Sequence, residues 1–225
     1  MIQNQLVQWF FDIPVVTRLY FTTTLLLTAS ISLNLLSYFQ IYLNYKLVFE
    51  EFQIWRLFTN FFYFGKLDME WFFYMFFFIN YSRMLEEGSF YGRTADFCFM
   101  LIYFASSFLV IGPFLKVPFL STLLTFALTY VWSRKSPDVQ LAFLGLFTFH
   151  APYLPFVLVS MSAIFQKQIP YLHLISMFVG HVYYFLDDVW PSQPSSRGVR
   201  YLAAPRFVKV LFEQQNQQQV HEHED

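Results

Sequence analysis

The stretch FQIWRLFTNFFYF, Phe52–Phe64, is followed by Gly65. It is apolar enough for lipid, yet it holds Arg56 beside Trp55. At about 1.5 Å per residue these 13 positions reach roughly 20 Å, short of the about 30 Å needed to cross a bilayer. Read as a helix, the segment places Gln53, Arg56 and Asn60 at i, i+3 and i+7, so the three share one face and aromatic or aliphatic residues take the others. That pattern fits a segment lying in the membrane interface, or dipping into it, better than a span. A buried guanidinium needs acceptors. Two readings of Arg56 therefore stand side by side: donation to carbonyls or side chains of neighbouring segments, or snorkelling to the headgroups.

The rest of the chain is as apolar. Of 225 residues, 56% are hydrophobic, 23% aromatic and only 13% charged, against about 25% charged in a soluble domain. With 32 Phe and a mean hydropathy of +0.42, the composition predicts an all-α, polytopic membrane protein built of spans and short loops, with no separate soluble domain. A net charge of −1 and the lack of a long basic run argue against a nucleic-acid partner. Cys98 stands alone, which excludes an intramolecular disulfide and a cysteine zinc site. No basic n-region precedes the first apolar run, so that run reads as a retained span.

Working outward, residues 1–18 form an amphipathic lead-in to the membrane surface, and Leu19–Leu36 is the first expected span. A connector over 37–70 holds the opening stretch. Trp71–Asn80, with flanking residues, gives the second span, and Arg83–Asp96 is the most polar internal loop. Phe97–Leu115 and Val117–Trp132 are the third and fourth spans. The fifth lies within Leu141–Phe165, kinked or interrupted by Pro152 and Pro155. Tyr171–Trp190 is the sixth. After Pro191 the chain turns polar and low in complexity, and Gln214–Asp225 reads as disordered. Six spans put both termini on one side, with Arg18, Arg83, Arg93, Arg134, Lys135, Arg197, Arg200, Arg206 and Lys209. The other side has only Lys46, Arg56, Lys66, Lys116 and Lys167. The positive-inside tendency then makes both termini cytosolic. Several expected spans are short, and short spans thin the bilayer around them.

Chemistry concentrates in the sixth span, where His173, Ser176, Met177, Gly180, Tyr184 and Asp187 form one helical stripe. Ser176-x-x-x-Gly180 is a small-xxx-small pair, a packing signal before anything else. His181 lies on a neighbouring face, either a functional intramembrane histidine or a neutral imidazole joining two helices. A serine nucleophile with a histidine base would make an intramembrane protease. Rhomboid proteases hold that serine in a Gly-x-Ser-Gly turn opening the fourth span. Here the residues two after Gly65, Gly88, Gly92, Gly112, Gly145, Gly180 and Gly198 are Leu67, Phe90, Thr94, Phe114, Phe147, Val182 and Arg200, and Ser121 has no adjacent glycine. Acyl transfer is not expected. His221-Glu222-His223-Glu224-Asp225 reads as an acidic tail rather than a metal site, and no cofactor is expected. The sequon Asn80-Tyr81-Ser82 falls at a span end on the expected cytosolic side. Spans without mid-span charge argue against a coupled small-solute carrier or channel, the second alternative to a scaffold beside the protease.

Several motifs together resemble the derlins, rhomboid-like pseudoproteases of the endoplasmic reticulum. They are IPVVTR (13–18), FQIWRLFTNFFYFG (52–65), RMLEEGSFYGRTADFCFM (83–100), YVWSRKSPDVQLAFLGL (130–146), APYLPFVL (151–158) and GHVYYFLDDVWPSQP (180–194). The pattern is most similar to the second and third animal derlins. The resemblance implies a six-span rhomboid-like helix bundle over residues 1–190, a polar cytosolic tail over 191–225, and an endoplasmic reticulum location. It implies a part in returning misfolded lumenal and membrane proteins to the cytosol for degradation. The partners it implies are an HRD-type membrane ubiquitin ligase complex, a cytosolic AAA+ segregase, membrane lipids, and homo- or hetero-oligomers with other derlins. Trp55 and Arg56 match the family's Trp-Arg pair in the first lumenal connector. The family's Gly-x-x-x-Gly in the sixth span is here Ser176-x-x-x-Gly180 or Gly180-x-x-x-Tyr184. The segregase-binding box, rich in Phe-x-Gly, has no counterpart in EQQNQQQVHEHED after Phe212, so the segregase is expected to be reached through the ligase complex. The site residues expected on these grounds are Trp55, Arg56 and Asn60 toward substrate and lipid, and Ser176, Gly180, His181 and Tyr184 on a packing and groove face.

Overall fold

The computed structural model describes residues 2–143, 147–196, 198, 200–206 and 208–210. The chain opens with α1 (Ile2–Phe11) and α2 (Val15–Ser32). The connector carries three short helices, α3 (Tyr38–Ile41), α4 (Tyr45–Glu50) and α5 (Arg56–Thr59). Then come α6 (Met69–Met84), running into a π-helical turn over Leu85–Ser89, α7 (Thr94–Leu115) and α8 (Ser121–Lys135). A hairpin of β1 (Gln140–Phe143) and β2 (Phe147–His150) leads to α9 (Leu154–Gln166) and α10 (Tyr171–Tyr184). α10 ends in a second π-helical turn over Phe185–Val189, followed by α11 (Trp190–Ser192).

Helix α8 is the axis. From Leu123 to Ser133 every residue is buried, so α8 has no outward face and α6, α7, α9 and α10 pack around it. Its polar side chains find acceptors one turn back: Thr125 Oγ1 donates to the Ser121 carbonyl at 3.1 Å and Thr129 Oγ1 to that of Thr125 at 2.9 Å. Helix α2 turns Thr17, Tyr20, Thr24 and Thr28 inward, close to a helical period, and Tyr20 stacks on Phe78 of α6 at 4.0 Å. Helix α7 buries Phe97, Met100, Phe104 and Phe108 at three- and four-residue steps. The opposite sides stay apolar and open: Leu19, Leu26, Ile102, Val110, Phe114, Ile164 and Phe178 are all exposed. An apolar core with an apolar exterior is what a helix bundle in lipid presents. Among the described residues two helices, Val15–Ser32 and Thr94–Leu115, are long and apolar enough to cross a membrane.

Three expectations change. The chain is mostly helical but not all-α, since Gln140 pairs with His150, Leu141 with Phe149, Ala142 with Thr148 and Phe143 with Phe147 in an antiparallel hairpin. Of the region Leu141–Phe165 expected to hold the fifth span, the first part is strand, and the helix begins at Leu154. Pro152 and Pro155 sit in its opening turns, where a missing N–H does no harm, rather than kinking its middle. The polar tail expected over 191–225 is packed on the bundle where it is described, as far as Val210. Ala204 and Val208 pack on Ala95 and Phe99 at the start of α7, and the Ala204 N–H donates to Asp96 Oδ1 at 2.8 Å. Gln214–Asp225, expected to be disordered, and with it His221–Asp225 lie outside the described residues.

Candidate functional site

Only Arg56–Thr59 of the opening stretch is regular helix, with single turns on either side. Gln53, Arg56 and Asn60 nevertheless meet. Arg56 Nε donates to Gln53 Oε1 at 2.7 Å, and Asn60 Nδ2 donates to the carbonyls of Arg56 at 2.7 Å and Leu57 at 2.9 Å. Arg56 is 5% exposed. Its Nη1 donates to the carbonyls of Phe39 at 2.8 Å and Tyr42 at 3.0 Å, and its guanidinium lies 5.0 Å from the Tyr42 ring centroid. Of the two readings open in the sequence, the structure has the donation to carbonyls. Trp55 turns the other way, half its surface exposed beside exposed Phe52 and Phe58, while its Nε1 reaches the Gln40 carbonyl at 3.1 Å. Asn60 is fully buried, and among the described residues its Oδ1 finds no donor.

This clamped connector is fastened to the bundle at several points. Tyr20 donates its hydroxyl to the Phe61 carbonyl, Tyr45 to that of Leu109 at 2.5 Å, and the Leu43 N–H to Pro118 O at 2.9 Å. Ser121 Oγ donates to the Tyr63 carbonyl at 2.6 Å. That last bond bears on catalysis. The one hydroxyl proton of Ser121 is directed at a main-chain oxygen rather than at an imidazole, and His173 meets the ring of Phe126 edge-on at 4.7 Å. An activated nucleophile needs its base within hydrogen-bond reach, and Ser121 is arranged as a structural donor. An open cavity of about 170 Å³ lies between α6, α8 and the start of α10. Tyr74, Thr122, Leu123, His173 and Ser176 line it with the turn before α10.

The buried face of α10 and the π turn after it is built from Ser176, Val179, Gly180, Tyr183 and Asp187, with Tyr183 against Tyr103 and Phe104 of α7. Tyr183, fully buried, takes the place expected for Tyr184, which is only half-buried, so the inward stripe is rotated by about half a residue step from the expected one. Gly180 sits against α8 so closely that a Cβ there would meet Ala127 O and Tyr130 Cδ1 at 3.0 Å. Ser176 Oγ donates to the Leu172 carbonyl of its own helix at 2.9 Å. His181 is exposed, and its Nδ1 lies 2.8 Å from the Tyr130 hydroxyl. The expected residues thus form two separate groups, one in the connector and one along α10.

Two polar clusters were not read from the sequence. Glu86, in the π turn after α6, accepts from the Val16 N–H at 3.0 Å, the Thr17 N–H at 3.0 Å and Thr17 Oγ1 at 2.8 Å, supplying the acceptors that the first turn of α2 lacks. Burial pushes the Glu86 carboxyl above its ordinary value, and those three hydrogen bonds only partly offset it. At the other ends of α8 and α10, Lys135 Nζ pairs with Asp187 at 3.0 Å and Asp188 at 2.6 Å, and Arg200 pairs with Asp187. Burial works against the Arg200 charge, but Asp187 and Asp96 prevail and hold its pKa up. The signal that could have pointed to these groups was charge in otherwise apolar surroundings.

A buried, polar-stitched helix bundle with an apolar exterior defines the class: a helical membrane protein. Residues 13–206 match the model of the Der1-like family, and the chain belongs to that family. It is 43% identical to Derlin-2.1 of Zea mays over 220 residues, covering 93% of this chain and 87% of the relative. The probable derlin-2 homolog of Dictyostelium discoideum is 41% identical over 216 residues, 93% of this chain and 84% of that one. Derlin-1 of Oryza sativa subsp. japonica is 36% identical over 206 residues, with 91% and 84% covered.

Proposed function

We propose that this chain is a catalytically inactive, rhomboid-like factor of the endoplasmic reticulum membrane that helps retrotranslocate misfolded proteins to the cytosol for ubiquitin–proteasome degradation. The observation that carries the reading is the derlin-family match across residues 13–206. The Ser121 hydroxyl, bonded to a carbonyl, supports the pseudoprotease part of it. In this reading α2, α6, α7, α8, α9 and α10 are six spans of a membrane unit over residues 1–190, with both termini cytosolic. The polar chain beyond is strapped to the bundle as far as Val210. The 16 residues of α6 amount to about 24 Å of helix, short of an about 30 Å hydrocarbon core, which favours a locally thinned bilayer. Arg56 and Asn60 act by holding the connector so that Trp55, Phe52 and Phe58 face lipid. Ser176 and Gly180 belong to the helix pairing behind the groove, with His181 bonded to Tyr130 and Tyr184 at the edge of that face. The partners are an HRD-type ligase complex, a segregase reached through it, misfolded clients, and other derlin copies.

The test is a chase of a misfolded lumenal reporter in cells lacking the chain, complemented with the wild type or with Arg56→Ala at matched protein level. The expected result is slower reporter decay with Arg56→Ala. Equal reporter half-lives with wild type, variant and empty vector would overturn the proposal.

A further inference from the structure

The last turn of α8 carries two adjacent cations with different surroundings. Lys135 is 7% exposed at its side chain and paired with Asp187 and Asp188. Arg134 has no acidic partner among the described residues, yet it is held in place. Its Nε donates to the Tyr130 hydroxyl at 3.1 Å. Its guanidinium carbon lies 5.2 Å from the Tyr130 ring centroid and 5.8 Å from that of Phe156 on α9. Tyr130 is itself 2% exposed, and Gly180, lacking a side chain, leaves room for its ring. The same hydroxyl meets His181 Nδ1 at 2.8 Å. With Arg134 donating into the Tyr130 oxygen, the hydroxyl proton is free for His181 Nδ1, and the imidazole proton then sits on Nε2. A half-buried guanidinium whose two terminal nitrogens find no acceptor among the described residues is thus oriented by two rings and one hydroxyl, with an exposed imidazole around the same oxygen.

We propose that Arg134, braced by Tyr130 and flanked by His181, binds the phosphate of an anionic phospholipid headgroup at this end of the bundle. The inference rests on the membrane reading of the fold, which puts this end of α8 at the interface. Four chemical facts select that ligand. The guanidinium fork matches two phosphate oxygens, and a pre-oriented fork loses little freedom on binding. An arginine at the end of a membrane helix has headgroup phosphates within reach. Asp187 and Asp188 are already paired with Lys135 and Arg200, so they do not repel an anion. Exposed Phe156 and the outer side of α10 suit an acyl chain below the headgroup.

The experiment uses the purified full chain in mild detergent, with bound lipid counted by native mass spectrometry. The probes are dioleoylphosphatidylinositol and dioleoylphosphatidylcholine. The wild type should take up one phosphatidylinositol saturably, at least tenfold in preference to phosphatidylcholine. Arg134→Gln should abolish that preference. Arg134→Lys, which keeps charge without a fork, should lose most of it. Tyr130→Phe, which keeps the ring but not the hydroxyl, should weaken it severalfold. Arg83→Gln, on an exposed arginine already paired with Glu87, should leave it unchanged. Equal binding of both lipids by the wild type, full retention in Arg134→Lys, or equal loss in Arg83→Gln would overturn the site. Displacement of phosphatidylinositol by millimolar inorganic phosphate would make it a free-anion site and overturn the lipid assignment. If every variant purified misfolded, tenfold preference by the wild type together with its loss in sodium chloride at 1 M would still separate a headgroup contact from chain packing. A fold that holds no ligand would show neither. Reporter degradation can fail while lipid binding persists, so the two proposals fail separately.

Discussion

Arg56 Nη1 donates to the carbonyl oxygen of Phe39 at 2.8 Å, across 17 residues of connector. Together with Tyr42 O and Gln53 Oε1, this makes the side chain the knot of a connector whose regular structure is three short helices. Removing it leaves buried acceptors without donors. Arg56→Ala is expected to lower stability by about 3 kcal/mol, and Arg56→Lys by roughly half as much, since an ammonium reaches fewer of the three acceptors. The readout is the thermal midpoint of the purified protein together with protease cleavage within residues 37–55. A connector as resistant in Arg56→Ala as in the wild type would rule out the knot.

Glu86 makes a prediction with a definite sign in pH. Its carboxyl titrates above the ordinary value of 4.5 in the folded protein, chiefly because it is buried. The folded state therefore holds the proton more tightly than the unfolded state. The stability this contributes is complete below about 4.5 and is lost as pH rises through the folded value. Glu86→Gln has no such titration, so the wild type should gain on it as pH falls from 7.5 to 5. Glu86→Ala should cost about 2–3 kcal/mol at pH 7.5, because the Val16 and Thr17 N–H groups lose their acceptor, and more at pH 5. A gap between wild type and Glu86→Gln that moves the other way on acidification would contradict the assignment.

What the sequence told, and what it did not, divides along the range of the interactions. The Gln53–Arg56–Asn60 face is local, and spacing found it although most of the stretch is turn rather than helix. The Ser176–Gly180 pair is local too, but the centre of the buried stripe was misplaced toward Tyr184. Polar residues mark both of its edges in the sequence, while Val179 and Tyr183 carry the packing. QLAFLGLFTFH offered only an apolar run, which suits a strand or a buried helix equally, and the hairpin was missed. Glu86 meets Thr17 across 69 residues and Asp96 meets Ala204 across 108, and no spacing rule reaches that far.

The close contact at Gly180 predicts a graded series. A methyl group at that position would stand 3.0 Å from a backbone oxygen, Ala127 O, which cannot rotate away. Gly180→Ala should cost about 1–3 kcal/mol, and Gly180→Leu should separate α8 from α10 altogether. Ser176→Ala should cost less than Gly180→Ala despite complete burial, because the Ser176 hydroxyl bonds only to its own helix. Thermal midpoints of the three variants in one detergent order the series. Ser176→Ala ranking below Gly180→Ala in stability would show that the helix pairing is set elsewhere.

The Lys135–Asp187–Arg200 cluster decides how the polar C-terminal stretch is attached. Asp187 is 1% exposed at its side chain and faces two cations from different parts of the chain, so neutralising it takes from Arg200 its close partner and leaves Lys135 with Asp188 alone. Asp187→Asn is expected to destabilise the bundle by about 3–5 kcal/mol. Arg200 is more open, and Arg200→Gln should act mainly on the attachment. Lys135 keeps Asp187 compensated, while the contact of Ala204 and Val208 with Ala95 and Phe99 loses its neighbour. Hydrogen exchange separates the two effects. In Arg200→Gln the main-chain amides of 200–210 should exchange faster, with α7, α8 and α10 unchanged, whereas Asp187→Asn should speed exchange at the ends of α8 and α10 as well. Slow exchange of the Ala204 amide in Arg200→Gln would mean that Asp96 alone suffices to hold the segment.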